Sequence, residues 1–137
     1  VPGFGPAPDC TSLRLGVLPG ELDALGTLGS DPVLTLRLRA GRPDTDAVEV
    51  VLVEEDGSPW GAVVPLRGDW QELTLAAREF RFFAHWAHPE GRGGAGDLVR
   101  LDRVRHISFC FGAWLYGERA ARPHAIEIGE VTAGVTP

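Results

Sequence analysis

Residues 48–83 read VEVVLVEEDGSPWGAVVPLRGDWQELTLAAREFRFF. An apolar run (Val48, Val50, Val51, Leu52, Val53) ends in an acidic turn at Asp56-Gly57, and a second apolar run fills residues 60–66. After a break at Gly68-Asp69-Trp70, an alternating segment carries Leu73 and Leu75 towards Phe80. Apolar, β-branched runs separated by Asp-Gly, Ser-Pro and Arg-Gly-Asp are the pattern of successive strands joined by short turns. A β-meander is expected here. The apolar residues of the first run fall on both parities, as in a strand covered on both faces, which places residues 48–54 in the middle of the domain.

Upstream, VLTLRLR at residues 33–39 alternates strictly. Leu34, Leu36 and Leu38 face inward and Thr35, Arg37 and Arg39 outward, so one face of this sheet meets water. Residues 12–18 alternate in the same way and form a first strand. Residues 21–30 form one helical turn or an irregular loop, because Gly26 and Gly29 oppose a long helix. Downstream, residues 91–96 (GRGGAG) lack side chains with which to build a core and read as a mobile loop at one end of the fold. Residues 101–111 bring Ile107, Phe109 and Phe111 to one parity, residues 112–123 form a second loop, and residues 124–131 close as a final strand. About eight strands and hardly any helix define an all-β fold. Two packed antiparallel sheets, a β-sandwich of the jelly-roll kind, are expected.

With 137 residues the chain is long enough for one core without staples. Residues 9–137 are read as that single domain, and residues 1–8, rich in Pro and Gly, as a linker or surface arm. The start at Val1 rather than Met suggests a piece of a longer or processed protein. A formal charge of −6 and the lack of a Lys/Arg stripe argue against nucleic acid. No apolar run approaches the roughly 20 residues that cross a bilayer, so no membrane partner is expected. Cys10 and Cys110 lack any short metal or redox spacing. They either form a bridge between neighbouring strands or stay as two buried thiols, and the second reading is preferred.

The segment Gly68-Asp69-Trp70-Gln71-Glu72-Leu73-Thr74-Leu75, running on to Phe80, resembles the G-x-W, apolar strand, short turn and Phe of galactose-binding-like jelly rolls. That segment recurs among carbohydrate-binding modules attached to bacterial glycoside hydrolases. Residues 101–109 and 125–131 look like the later strands of those modules. The resemblance implies that Trp70 and Phe80 are core residues. It also implies a non-catalytic module that tethers a secreted or cell-surface polysaccharide-degrading enzyme to its glycan. Its partners would then be an oligo- or polysaccharide and the catalytic domain of the parent chain, and the isolated module would be a monomer. The turn before Phe80 reads Ala-Ala-Arg-Glu, where a Pro and a Ser or Asp are more usual. No N-terminal acidic pair marks a calcium site. No cofactor is implied, and whether a structural calcium steadies a loop is left open.

Sugars present apolar C–H faces and many hydroxyls, so their sites join an aromatic platform to planar polar groups. Trp114, Tyr116, Trp86 and Trp60 are the candidate platforms, and His85 and Arg81 the candidate polar partners. His85 and His88 lack a third ligand nearby and are read as loop histidines rather than a metal pair, and His106 and His124 as structural or surface residues. Glu54-Glu55-Asp56 is read as a solvated strand end, since glycoside hydrolysis needs two carboxylates facing each other across a cleft. No nucleophile elbow, zinc helix or phosphate loop is present. The alternative to a sugar-binding module is an accessory sandwich that packs against a catalytic domain.

Overall fold

The computed structural model describes residues 10–16, 32–83 and 89–135. The arm at residues 1–8, the segment 21–30, and His85, Trp86 and His88 lie outside the described residues. Eight strands are described: β1 (Cys10–Gly16), β2 (Pro32–Ala40), β3 (Ala47–Glu54), β4 (Pro59–Pro65), β5 (Gln71–Ala76), β6 (Arg81–Phe82), β7 (Val104–Gly112) and β8 (Ile126–Val135). One four-residue helix, α1 (Ala113–Tyr116), follows β7. The strands form a five-stranded sheet in the order β1-β7-β3-β4-β6 and a three-stranded sheet in the order β5-β2-β8. Every pairing is antiparallel. As its two-parity pattern predicts, β3 is the central strand of the larger sheet.

The meander is only half present. β3 and β4 form the expected hairpin. In its turn Gly57 takes φ +90, a left-handed conformation that glycine adopts without steric cost, and the Ser58 N–H donates to Asp56 Oδ1 at 2.9 Å. The chain then leaves the sheet. Pro65 has no N–H to continue the ladder, the Gln71 side chain donates to its carbonyl at 2.8 Å, and β5 crosses to pair with β2. β6 returns beside β4, where Trp60 and Gly61 pair with Phe82 and Arg81.

Parity sets the core between the sheets. Leu34, Leu36 and Leu38 of β2 pack towards Val48, Val50 and Leu52 of β3, Trp60 and Val64 of β4, and Ile107, Phe109 and Phe111 of β7. Each such side chain contributes about 1.5–3 kcal/mol when fully buried. Phe80 joins this core, as the resemblance implies. Trp70 does not. It shares the parity of the exposed Glu72 and Thr74, and lies half-buried on the outer face of the smaller sheet. There the Arg37 and Arg39 guanidinium carbons lie 4.6 and 4.7 Å from its ring centroid.

Two further expectations are corrected together. Glu54 is no solvated strand end: it has the inward parity of Val50 and Leu52 and is buried. Its carboxylate accepts from the Trp60 indole N–H at 2.7 Å, from Arg92 Nη2 at 2.9 Å, and from Arg100 Nε. Arg92 belongs to the glycine-rich loop, which is therefore tied down rather than mobile. The same guanidinium donates to Asp97 Oδ2 at 2.8 Å and Asp56 Oδ2 at 3.0 Å. Gly93 takes φ +83, and a Cβ there would press into the Phe82 ring. The loop thus closes over the β6 edge of the sheet.

This anchor is acid-sensitive. Burial works against the Asp56 charge, but the Ser58 N–H and hydroxyl, and then Arg92, outweigh it and hold the carboxyl at about 2, below its ordinary 3.8. Arg92 and the Gly93 N–H hold Asp97 at about 2 as well. A carboxyl with a lowered folded-state pKa stabilises the fold above its unfolded value and loses that contribution as pH falls through the folded value. The loop is therefore expected to stay anchored above about pH 4 and to loosen between about pH 4 and pH 2. Hydrogen exchange of the 91–98 amides against pH measures this, and Asp97→Asn should flatten the profile.

Cys110 is buried on β7. The register sets Cys10 opposite Gly112 and Cys110 opposite Ser12. Such a diagonal separates Cα atoms by roughly 7–8 Å, beyond the usual disulfide span, so the pairing does not favour a bridge.

Candidate functional site

The outward face of the five-stranded sheet is laid out by register. Cys110, Glu49 and Val63 stand side by side across β7, β3 and β4. The next row is Ser108, Val51, Gly61 and Arg81, extended by β6, and His106, Val53 and Pro59 form a third. Much of this face is buried. Glu49 is 8% exposed, and Val51, Ser108 and Cys110 are fully covered. Among the described residues Ser108 Oγ has no hydrogen-bond partner. Val63, by contrast, is 56% exposed, and Arg81 is exposed as well.

One corner of this face combines an aromatic ring with a carboxylate. Gly61 leaves room for two neighbours: a Cβ there would lie 2.7 Å from Glu49 Oε1 and 3.2 Å from the Phe83 ring. Phe83, buried against Val51 and Cys110, meets Trp114 edge-on, with centroids 5.9 Å apart and planes at 70°. Trp114 lies over Gly112, whose missing side chain leaves the space that the six-membered ring fills. Trp114 remains 42% exposed. Seated from below by Gly112 and braced from one side by Phe83, it leaves part of a flat apolar surface open on the outward sheet face.

The other candidates divide. Trp114 and Tyr116 are two residues apart on one helical turn and so point to nearly opposite sides. Tyr116 turns inward and is only 5% exposed. Its hydroxyl accepts from the Ala47 N–H at 3.0 Å and donates to the Ala47 carbonyl, and burial pushes its pKa up. Its ring stacks on His124 at 4.1 Å. Thr45 Oγ1, 3.0 Å from His124 Nδ1, and the Arg119 carbonyl, 2.8 Å from Nε2, hold that imidazole in place. Tyr116 is a packing residue and not a platform. Trp60 is corrected likewise: its inward parity leaves it 3% exposed, with its N–H taken by Glu54. Arg81 stands on the same outward face as Trp114. Trp86 and His85 lie outside the described residues.

Sequence reading missed Glu49, Phe83, Gly112 and Val63. Parity was the available signal, because Glu49 shares the outward side of β3 with Val51 and Val53. Phe83 similarly follows Arg81 at the end of β6. A separate groove of about 430 Å³, between residues 41–46 and 66–68, has Leu66 and Pro43 on its walls and Arg42 and Asp46 at its rim. Among the described residues no aromatic ring lines it. Among the described residues no group of three His, Cys, Asp or Glu side chains is gathered to hold a metal. No described helix is long and apolar enough to cross a membrane.

With this geometry in place, known proteins supply a frame. No family model matches the chain. Its backbone follows the family 11 carbohydrate-binding module of the cellulosomal cellulase Lic26A-Cel5E of Clostridium thermocellum, with a TM-score of 0.59 and 10% identity over 93% of this chain and 68% of that one. A family 11 carbohydrate-binding module from Clostridium thermocellum in complex with a β-1,3-1,4-mixed-linked tetrasaccharide gives a TM-score of 0.58 and 10% identity over 92% of this chain and 68% of that one. The agarase AgWH50C gives 0.61 and 9% over 93% of this chain and 20% of that one. The chain has the two-sheet jelly-roll fold of carbohydrate-binding modules, as the sequence resemblance implied.

In sequence, the chain is similar to limonene 1,2-monooxygenase of Rhodococcus erythropolis, with 26% identity over 99 residues. That match covers 72% of this chain and 22% of the enzyme, so the chain spans about a fifth of that protein's length.

Proposed function

We propose that the domain is a non-catalytic carbohydrate-binding module that holds a glycan against Trp114, with Arg81 on the same sheet face as a polar partner, and tethers a secreted parent enzyme to its polysaccharide. The observation that carries this reading is the seated, partly exposed Trp114 ring on the outward sheet face, which also carries the exposed Arg81. Aromatic stacking on the C–H face of a pyranose, with planar polar groups for its hydroxyls, is the chemistry that corner supplies. Catalysis finds less support: glycoside hydrolysis needs paired carboxylates, and the three rows contribute one, Glu49. The reading calls for no cofactor. Tethering would act by effective concentration, with no contact to the reacting bond.

Calorimetry or affinity electrophoresis tests it, with the β-1,3-1,4-mixed-linked tetrasaccharide and agarose oligosaccharides as first probes and plant, algal and host glycans as a wider panel. Saturable binding to at least one of them is expected, and silence across the panel would sink the reading. Val63, exposed on the same outward face as Trp114, favours the second reading, an accessory domain that buries the exposed apolar residues of this face against a catalytic domain. Tight association with the neighbouring domain of the parent chain in the absence of sugar would mark that outcome.

A further inference from the structure

We propose that Gly112 is the positioning residue of the Trp114 platform, present so that the indole can lie flat on the strand backbone, a role that rests on the sugar-binding reading of this corner. Glycine usually stands where the backbone needs a left-handed conformation, but Gly112 has φ −160 and ψ 179, extended values open to any residue. The reason for glycine lies above the backbone. Gly112 has the outward parity of Ser108 and Cys110, and a Cβ placed on it would overlap the six-membered ring of Trp114, with Cζ3, Cε3 and Cη2 as its three nearest atoms. Three neighbouring ring atoms around one Cβ position mean that the indole covers the glycine with its face.

The consequence is a platform with one usable side. The lower face of the ring rests on Gly112, its flank is braced by Phe83, and Phe83 itself packs close over Gly61, where a Cβ would lie 3.2 Å from its ring. A methyl group at position 112 has to push the ring off its seat on the strand, and the ring then loses the fixed position that Gly112 and Phe83 give it. Strand β7 has no reason to change, since alanine adopts the same backbone angles. Binding by stacking depends on a preformed surface, and a ring that must be ordered on binding costs affinity.

The test uses the 137-residue chain as wild type, Gly112→Ala, Trp114→Ala and the double variant. Gly112→Ala is expected to keep its far-ultraviolet circular dichroism and cooperative unfolding. Acrylamide quenching of Trp114, read as the difference between each chain and its Trp114→Ala counterpart, is expected to rise about twofold. Affinity for the β-1,3-1,4-mixed-linked tetrasaccharide is expected to fall at least tenfold. In the Trp114→Ala background the glycine substitution should change neither affinity nor stability. Wild-type affinity with unchanged quenching in Gly112→Ala would overturn the proposal. So would an equal stability loss in both backgrounds, because glycine would then serve the strand and not the ring. If the wild type binds no glycan while quenching still rises, the sugar-binding reading fails and the seating of the ring stands.

Discussion

Replacing Glu54 with alanine is expected to destabilise the domain by about 3–5 kcal/mol, the usual effect of removing one partner from a buried ion pair. Three groups depend on this carboxylate: the Trp60 indole N–H, the Arg92 guanidinium with only 13% of its side chain exposed, and Arg100. Without it, a buried donor and a nearly buried cation are left inside the sheet edge. Asp56 of the β3–β4 turn and Asp97 of the loop still pair with Arg92, but both are partly exposed, whereas Glu54 is fully buried. Against a total stability of about 5–15 kcal/mol for a typical domain, that loss brings the protein close to unfolding at room temperature. Urea denaturation measures it, and Glu54→Gln, which keeps an acceptor for Trp60, should fall between the two. A change below about 1 kcal/mol would mean that both arginines reach water when released and that the loop is not anchored through Glu54.

Trp114→Ala is expected to do the reverse, removing binding while leaving the fold. Truncating a central aromatic contact commonly costs about 2 kcal/mol or more of binding energy, which is roughly 30-fold in affinity. The ring contributes little to the core because Trp114 is 42% exposed and belongs to neither buried cluster. A midpoint of thermal unfolding within a few degrees of wild type, together with loss of glycan retention in an affinity gel, is the expected pair of results. Undiminished retention would move the binding surface away from this corner. Loss of both retention and cooperative unfolding would make Trp114 a packing residue.

Much of the architecture was legible because β-strand parity is a short-range signal. The Leu34, Leu36 and Leu38 alternation and the two-parity run from Val48 each gave the face and the rank of a strand. Parity would also have shown that Glu54 and Trp60 face inward, since they continue the buried sets of β3 and β4. Charge made Glu54 look solvated and aromatic character made Trp60 look available, and both impressions ignored the side of the strand. What could not be read locally is pairing across the chain. Arg92 meets Glu54 at a sequence separation of 38, so a glycine run that looks mobile in isolation is held by a side chain whose partner belongs to another hairpin. Trp70 was assigned inward by family pattern, whereas its alternation with Glu72 and Thr74 pointed outward. Of the proposed aromatics, Trp114 alone among the described residues keeps an exposed ring. Its seat on Gly112 depends on a helical turn that the sequence showed only as a loop.

The two-residue length of β6 bears on how the domain behaves at high local concentration. Beyond Gly61 the outer rim of β4 has no described strand beside it, and a bare rim is where another chain could add itself and start a fibril. Here the invitation is short. Pro65 supplies no donor at the far end, the Gln71 amide already occupies its carbonyl, and the loop pinned by Arg92 covers the near end. A protein crowded onto a solid surface would thus meet its neighbours without being stitched to them strand by strand.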